Sequence, residues 1–332
     1  MSNESALTAI LRRQSSDIDE HARHLHNWEQ EYRQLSCGKF SGVVSTASDP
    51  RVTILSEITN QSLHQQLTPP AGTVVLGAVL NRDNALLVDR RPVKTTSLMV
   101  VEGGREYDFR TEGSTELLGI ILDDNIVSGV TRCRSELIEC AIKQTVVPLA
   151  PDATMMLRHF WRMISCILQQ KNVWPDNMPM PLLADTALTS VLLALSMSTG
   201  QTTPTLPQSA GRQAKVVREA LRFMRANLHS GATIVDVCEA VHVSQRTLQY
   251  YFESCLGMSP RQYLRTMRLN AARRLLRTVR VQRSRYQVSI AEVAAQCGYD
   301  HPSRFAGDYK RQFGVLPSET LREAEAVIGG AQ

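Results

Sequence analysis

The chain has 332 residues, 43% of them apolar and 21% charged, with a formal charge of +5, which is enough length and core-forming material for two ordinary domains. It lacks a run of about 18 apolar residues, and its opening Met1-Ser2-Asn3-Glu4 is not a basic-then-apolar signal, so a soluble cytoplasmic protein with no membrane partner is expected. The charge is uneven: residues 212–332 carry 19 basic against 10 acidic side chains, residues 1–211 carry 18 against 22, and only the C-terminal part is expected to meet a polyanion unless its basic face is simply solvated.

Residues 1–36 are polar and are expected to be helical. His21, His24 and His26 cluster there, but their spacing does not place all three on one helical face, and no metal is expected. Over 39–124 the pattern changes to short apolar runs: Val52–Leu55, Thr73–Leu76, Ala85–Val88, Ser97–Val101 and Leu117–Leu122. Turn signals at Pro69–Gly72, Asn81–Asn84, Gly103-Gly104 and Glu112-Gly113 separate them, so the segment predicts an antiparallel sandwich or barrel.

Residues 125–198 are expected to be helical. Met155, Leu157, Phe160, Trp161, Ile164 and Leu168 give one apolar face, and 182–197 is apolar nearly throughout, as a fully buried helix would be. That surface either packs on the chain's own sheet or forms a dimer interface. Residues 201–213, with Thr202-Thr203-Pro204-Thr205-Leu206-Pro207, are expected to be a linker. Beyond it, Val217, Ala220, Leu221, Met224 and Leu228 share a helical face, while Lys215, Arg218, Arg222 and Arg225 form a basic stripe that meets phosphates or is solvated. The seven cysteines are scattered without a C-x-x-C pair, which favours free thiols over disulfides or zinc.

From Ile234 the same helical unit occurs twice. Ile234, Val237, Cys238, Leu248, Phe252, Leu256, Gly257 and Pro260 recur as Ile290, Val293, Ala294, Phe305, Tyr309, Phe313, Gly314 and Pro317. The offset is 56 residues through Val293 and 57 from Phe305 onward, so the second turn is one residue longer. Each copy reads as helix, tight turn, helix, with Ser244 as an N-cap in the first and Gly298 and Pro302 marking the turn and the helix start in the second. Such a unit lays its second helix in the DNA major groove.

The runs Val243-Ser244-Gln245-Arg246-Thr247-Leu248, Arg268–Leu276 and Gly298-Tyr299 through Phe313–Ser318 resemble the DNA-binding domain of the AraC/XylS family of transcription regulators. The resemblance covers about 213–323 and departs from the family pattern at His242 (usually glycine), at Gly307 (often a polar reader) and in a long segment from Arg277 to Val288. It implies base reading by Arg246, Gln249, Tyr250, Ser303 and Arg304. It also implies phosphate contacts from Arg265, Arg268, Lys310, Arg311 and the helix after Pro317, although Arg268 is equally read as a structural link from the joining helix.

The family resemblance further implies a cupin-like jelly roll before the linker that senses a small molecule, and that region weakly resembles regulators of amine and ethanolamine catabolism. The expected fold is α+β: an effector-sensing and dimerising domain over 1–200 (β-rich 39–124, helical 125–198), a linker at 201–213, and an all-α double helix-turn-helix domain over 214–325. The expected partners are double-stranded DNA, a small-molecule effector, RNA polymerase and a second copy of the chain. A metal cupin enzyme would need a His/His/Glu cluster with a distant His, yet the strands offer His64 with Glu57, Glu102 and Glu106. No catalytic residue and no cofactor are therefore expected. The alternatives are an effector-modifying cupin enzyme with a DNA-binding tail and a regulator controlled by a protein partner.

Overall fold

The computed structural model describes residues 9–81, 86–128, 132–170, 174–175, 179–200, 208–278 and 289–329. The chain divides into two units, Met1–Tyr32 with Phe40–Thr205 and Arg33–Lys39 with Leu206–Gln332.

The first unit opens with β1 (Ile10–Ser15), α1 (Ile18–Ala22), β2 (Glu29–Gln34, whose last two residues count with the second unit), β3 (Gly42–Asp49), β4 (Val52–Thr59), β5 (Leu63–Thr68) and β6 (Thr73–Val79). It continues through β7 (Leu86–Val88), β8 (Arg91–Val93), β9 (Ser97–Glu102), β10 (Tyr107–Thr111) and β11 (Thr115–Asp123). The helical part is α2 (Asp124–Ser128), α3 (Arg132–Gln144), the short β12 (Val146–Pro148), α4 (Pro151–Gln170) and α5 (Met180–Met197). A seven-stranded sheet in the order β1-β3-β4-β11-β6-β9-β12 accompanies a five-stranded one in the order β2-β5-β10-β7-β8. The β3–β4, β4–β11, β11–β6 and β6–β9 ladders are all antiparallel.

Both faces of the larger sheet's central strands are buried, which is why those strands read as apolar runs. Ile54, Leu76, Val100 and Ile120 point to the helices and pack with Trp161, Ile164, Leu188 and Val191. Their neighbours Leu55, Val75, Val101 and Ile121 point the other way and meet Leu67, Leu86, Val88 and Phe109 of the smaller sheet. A strand's side chains alternate between faces, so one sequence serves two cores.

Three expectations are corrected here. Of residues 1–36, the described residues 9–36 hold two strands and one five-residue helix rather than a helical segment. β1 is an edge strand, paired with β3 from Ile10↔Ala47 to Ser15↔Gly42, and its four middle residues are exposed. With only its end residues Ile10 and Ser15 buried, this edge strand needs no apolar alternation, so its polar sequence hides it. The linker is shorter than 201–213, because Gln208–Gln213 already belong to a helix; 201–207 lie outside the described residues.

The third correction concerns α5, which is not buried all round. Ala187, Val191 and Ala194 are fully buried, while Leu182, Leu193 and Met197 are exposed beside Asp185, Thr186, Thr189 and Ser196. By length and composition this helix is apolar enough to cross a membrane, with half of it buried against its own unit.

The second unit comprises α6 (Gln208–Ala226), α7 (Ile234–Ala240), α8 (Gln245–Leu256), α9 (Pro260–Thr278), α10 (Ile290–Gln296), α11 (Pro302–Phe313) and α12 (Pro317–Gly329). It has two cores, and α9 serves both. Tyr263, Leu264 and Met267 pack with Leu248 and Phe252, while Leu269, Ala272 and Leu276 pack with Val293, Phe305 and Phe313. Arg33–Lys39 belongs to this unit. Gln34 N donates to Asn270 Oδ1 on α9 at 3.1 Å, and Gln312 Nε2 on α11 donates to the carbonyls of Gln34 and Ser36 at 3.0 Å each. Of the long segment between the two repeats, 279–288 lies outside the described residues.

Candidate nucleic-acid interface

Each repeat is built by local chemistry. Thr233 caps α7 in a capping box: its backbone N–H donates to Asp236 Oδ2 at 2.6 Å, and Asp236 N donates back to Thr233 Oγ1. Ser289 and Glu292 make the same box at α10. In the turns, Val243 N donates to Cys238 O at 3.2 Å, and Tyr299 N donates to Ala294 O at 3.0 Å, 56 residues later. His242 (φ 53°) and Gly298 (φ 73°) both take the left-handed conformation there. The substitution at 242 therefore leaves the turn geometry in place. Gly257 and Gly314 close α8 and α11 in the same left-handed form.

With α8 fixed by fully buried Leu248 and Phe252, its other side is set free. Arg246 and Tyr250 are exposed there, Tyr250 by 60%, and Gln249 lies between them with its amide donating to Glu253 Oε1, one turn on. The second copy is barer. Ser303 and Arg304 are exposed at the start of α11, but the 57-residue register places Ala306 and Gly307 opposite Gln249 and Tyr250. A Cβ at Gly307 would meet nothing within 4 Å, so the helix presents open backbone at that point.

The basic candidates divide. Lys310 is exposed. Arg265 pairs with Asp308 at 2.5 Å, tying α9 to α11, and Arg311 approaches the same carboxylate at 3.5 Å. Arg268 donates to Ala232 O at 2.8 Å, and its guanidinium lies against Gly298, where a Cβ would come within 3.0 Å of Cζ. Of the two roles the sequence leaves open for Arg268, these contacts favour the structural one. Asp308, 8% exposed, was not singled out in the sequence, and no local signal marks it, because its partner Arg265 lies 43 residues away on another helix.

Burial shifts two titratable groups of the second repeat. Burial pushes the Cys297 thiol up to about 11, so it is a small apolar filler at neutral pH. Burial, and then Asp308, push Tyr299 up to about 12. Among the described residues, three or more His, Cys, Asp or Glu side chains nowhere gather as a metal site. The His21 and His24 rings lie 6.3 Å apart, and His21 is engaged by Ser15 Oγ at 2.8 Å and Glu57 Oε1 at 3.0 Å. His64 pairs with Asp108 at 2.6 Å.

Residues 237–323 match a family model described as a helix-turn-helix domain. Over 107 residues the chain is 38% identical to the probable thc operon regulatory protein of Rhodococcus erythropolis, covering 32% of this chain and 31% of that one. It is 33% identical over 108 residues to the XylDLEGF operon transcriptional activator of Pseudomonas putida, covering 32% of each. Among solved structures it is similar to a transcriptional regulator with an AraC-type DNA-binding domain from Chromobacterium violaceum. That likeness is 31% identical, covers 35% of this chain and 96% of that chain, and has a TM-score of 0.30. The chain thus spans about a third of the length of the curated relatives it matches.

Proposed function

We propose that this chain belongs to the AraC/XylS family of transcription regulators and is a sequence-specific DNA-binding activator whose first unit senses a small-molecule effector. The observation that carries the reading is the pair of repeated units in one fold, α7–α8 and α10–α11, each presenting a polar, exposed helix from a fully buried apolar footing. Two recognition helices joined by the single helix α9 suit successive major grooves on one face of the duplex, about 34 Å or 10 base pairs apart. Arg246 is matched to guanine O6/N7 and Gln249 to adenine N6/N7, with Tyr250, Ser303 and Arg304 completing the base-reading set. Lys310 and Arg311 are the phosphate contacts, with Arg265 and Arg268 held partly by their own structural partners.

Activation requires contact with RNA polymerase, and the relative named as an operon activator supports that sign of regulation. Residues 1–200 carry sensing and self-association, and the exposed Leu182, Leu193 and Met197 on α5 offer apolar surface for a second copy. The protein works in the bacterial cytoplasm, where the DNA is. Selection of bound duplexes from a random pool tests the reading. The expected product is a site of two elements about 10 base pairs apart, the one read by α8 better defined. Enrichment of no common sequence would refute it.

A further inference from the structure

Between the two sheets of the first unit lies a cavity of ≈ 60 Å³. Its walls are apolar: Leu55, Val75 and Met99 come from the larger sheet and Phe109 from the smaller, while Gly119 leaves room that a side chain would fill. One end is polar, formed by Tyr32, Glu57 and Gln65. Glu57, 6% exposed, accepts from Tyr32 Oη at 2.9 Å and meets His21 Nε2 at 3.0 Å, both through Oε1. Its second oxygen has only Gln65 Nε2, at a long 3.4 Å. Gln65 is 1% exposed, and its own carbonyl oxygen Oε1 has no hydrogen-bond partner. A buried carboxylate oxygen and a buried amide oxygen, both short of donors in one apolar cavity, are costly unless a guest supplies the hydrogens.

We propose that this cavity binds a small primary ammonium ion, which donates N–H groups to Glu57 Oε2 and Gln65 Oε1 and lays its hydrocarbon part against Leu55, Val75 and Met99. The choice follows from counting donors and charge. An ammonium brings three N–H donors and a positive charge to a carboxylate; an alcohol brings one donor, and an anion is repelled. Burial and the adjacent Glu57 hold the Tyr32 phenol well above its ordinary range, so it stays a donor and leaves the acceptors to the guest. One water occupies roughly 10–15 Å³, so the cavity suits a guest of a few heavy atoms. The inference deepens the effector-sensing reading and rests on it for its role, but not for its test.

The test uses the full chain without DNA and three probes that share one four-carbon skeleton: isobutylamine, isobutanol and isobutyrate, followed by calorimetric titration. Isobutylamine should bind at least about tenfold more tightly than the other two, and Glu57→Gln should remove that preference. Because Glu57 also holds Tyr32 and His21, Gly119→Val provides a variant that leaves the polar end intact. A Cβ at Gly119 meets only Val75 Cγ1 at 3.6 Å and Leu55 Cδ2 at 4.0 Å, so the added side chain should fill the cavity and abolish amine binding while the melting temperature holds. Equal binding of isobutanol or isobutyrate, no binding at millimolar amine, or amine binding retained by Gly119→Val would each overturn the proposal. DNA binding without amine preference would overturn this site alone, whereas amine binding by a chain that binds no DNA would uphold the site and refute the regulator reading.

Discussion

At the scale of single residues, His242 and Gly298 occupy one place in two turns and meet its demand differently. Left-handed backbone costs an L-residue about 1–2 kcal/mol, and glycine escapes that cost while losing more entropy on folding. His242→Gly should therefore raise the stability of the helical unit by up to about 1 kcal/mol in a chemical denaturation titration. A loss of stability would show that the imidazole contributes contacts that outweigh the strain. Gly298 has no such latitude, because the Arg268 guanidinium fills the space its side chain would take. Arg268→Ala leaves the Ala232 carbonyl without its donor, so it should cost about 1–3 kcal/mol of folding stability and leave the salt dependence of DNA binding unchanged. If stability held and the salt slope fell by about one, Arg268 would be a phosphate contact instead.

At the scale of elements, α9 is the member on which both repeats are built, since its first half lies in one core and its second half in the other. The apolar anchors facing it are large. Phe252→Ala and Phe305→Ala should each destabilise the helical unit by about 3–5 kcal/mol, and melts that hardly move would place these rings outside the cores. These elements were legible in the sequence because what defines them is local and occurs twice: the spaced apolar positions, the turns at His242 and Gly298, and the glycines at 257 and 314; the caps at Thr233 and Ser289 were not singled out.

The first unit was legible only where its strands are apolar on both faces. β1 is an exposed edge, and β5 carries His64, Gln65 and Gln66, whose polar side chains break the apolar signal while two of them serve buried contacts. Glu57 and His21 stand 36 residues apart, and only the pairing of β3 and β4 and the packing of α1 on β3 explain why they meet. The ion pair of Arg265 with Asp308 was hidden for the same reason, since it exists only once α9 and α11 are packed.

At the scale of the whole molecule, the basic excess of residues 212–332 coincides with the unit that holds both repeats, while residues 1–211 are mildly acidic. Affinity for DNA should thus fall steeply with salt, and Lys310→Ala should weaken selected and scrambled duplexes alike, with a shallower salt slope. The repeats are not equal readers, because Ala306 and Gly307 stand where the first copy has Gln249 and Tyr250. The most direct test of sequence-specific recognition led by α8 compares the full chain and its Arg246→Ala variant on the selected duplex and a scrambled one, at one salt concentration. The account predicts a loss of about 1–3 kcal/mol on the selected duplex, with sequence preference relaxed in one of its two elements and little change on the scrambled one. Equal losses on both duplexes would make Arg246 a phosphate contact and contradict the assignment of specificity to this helix.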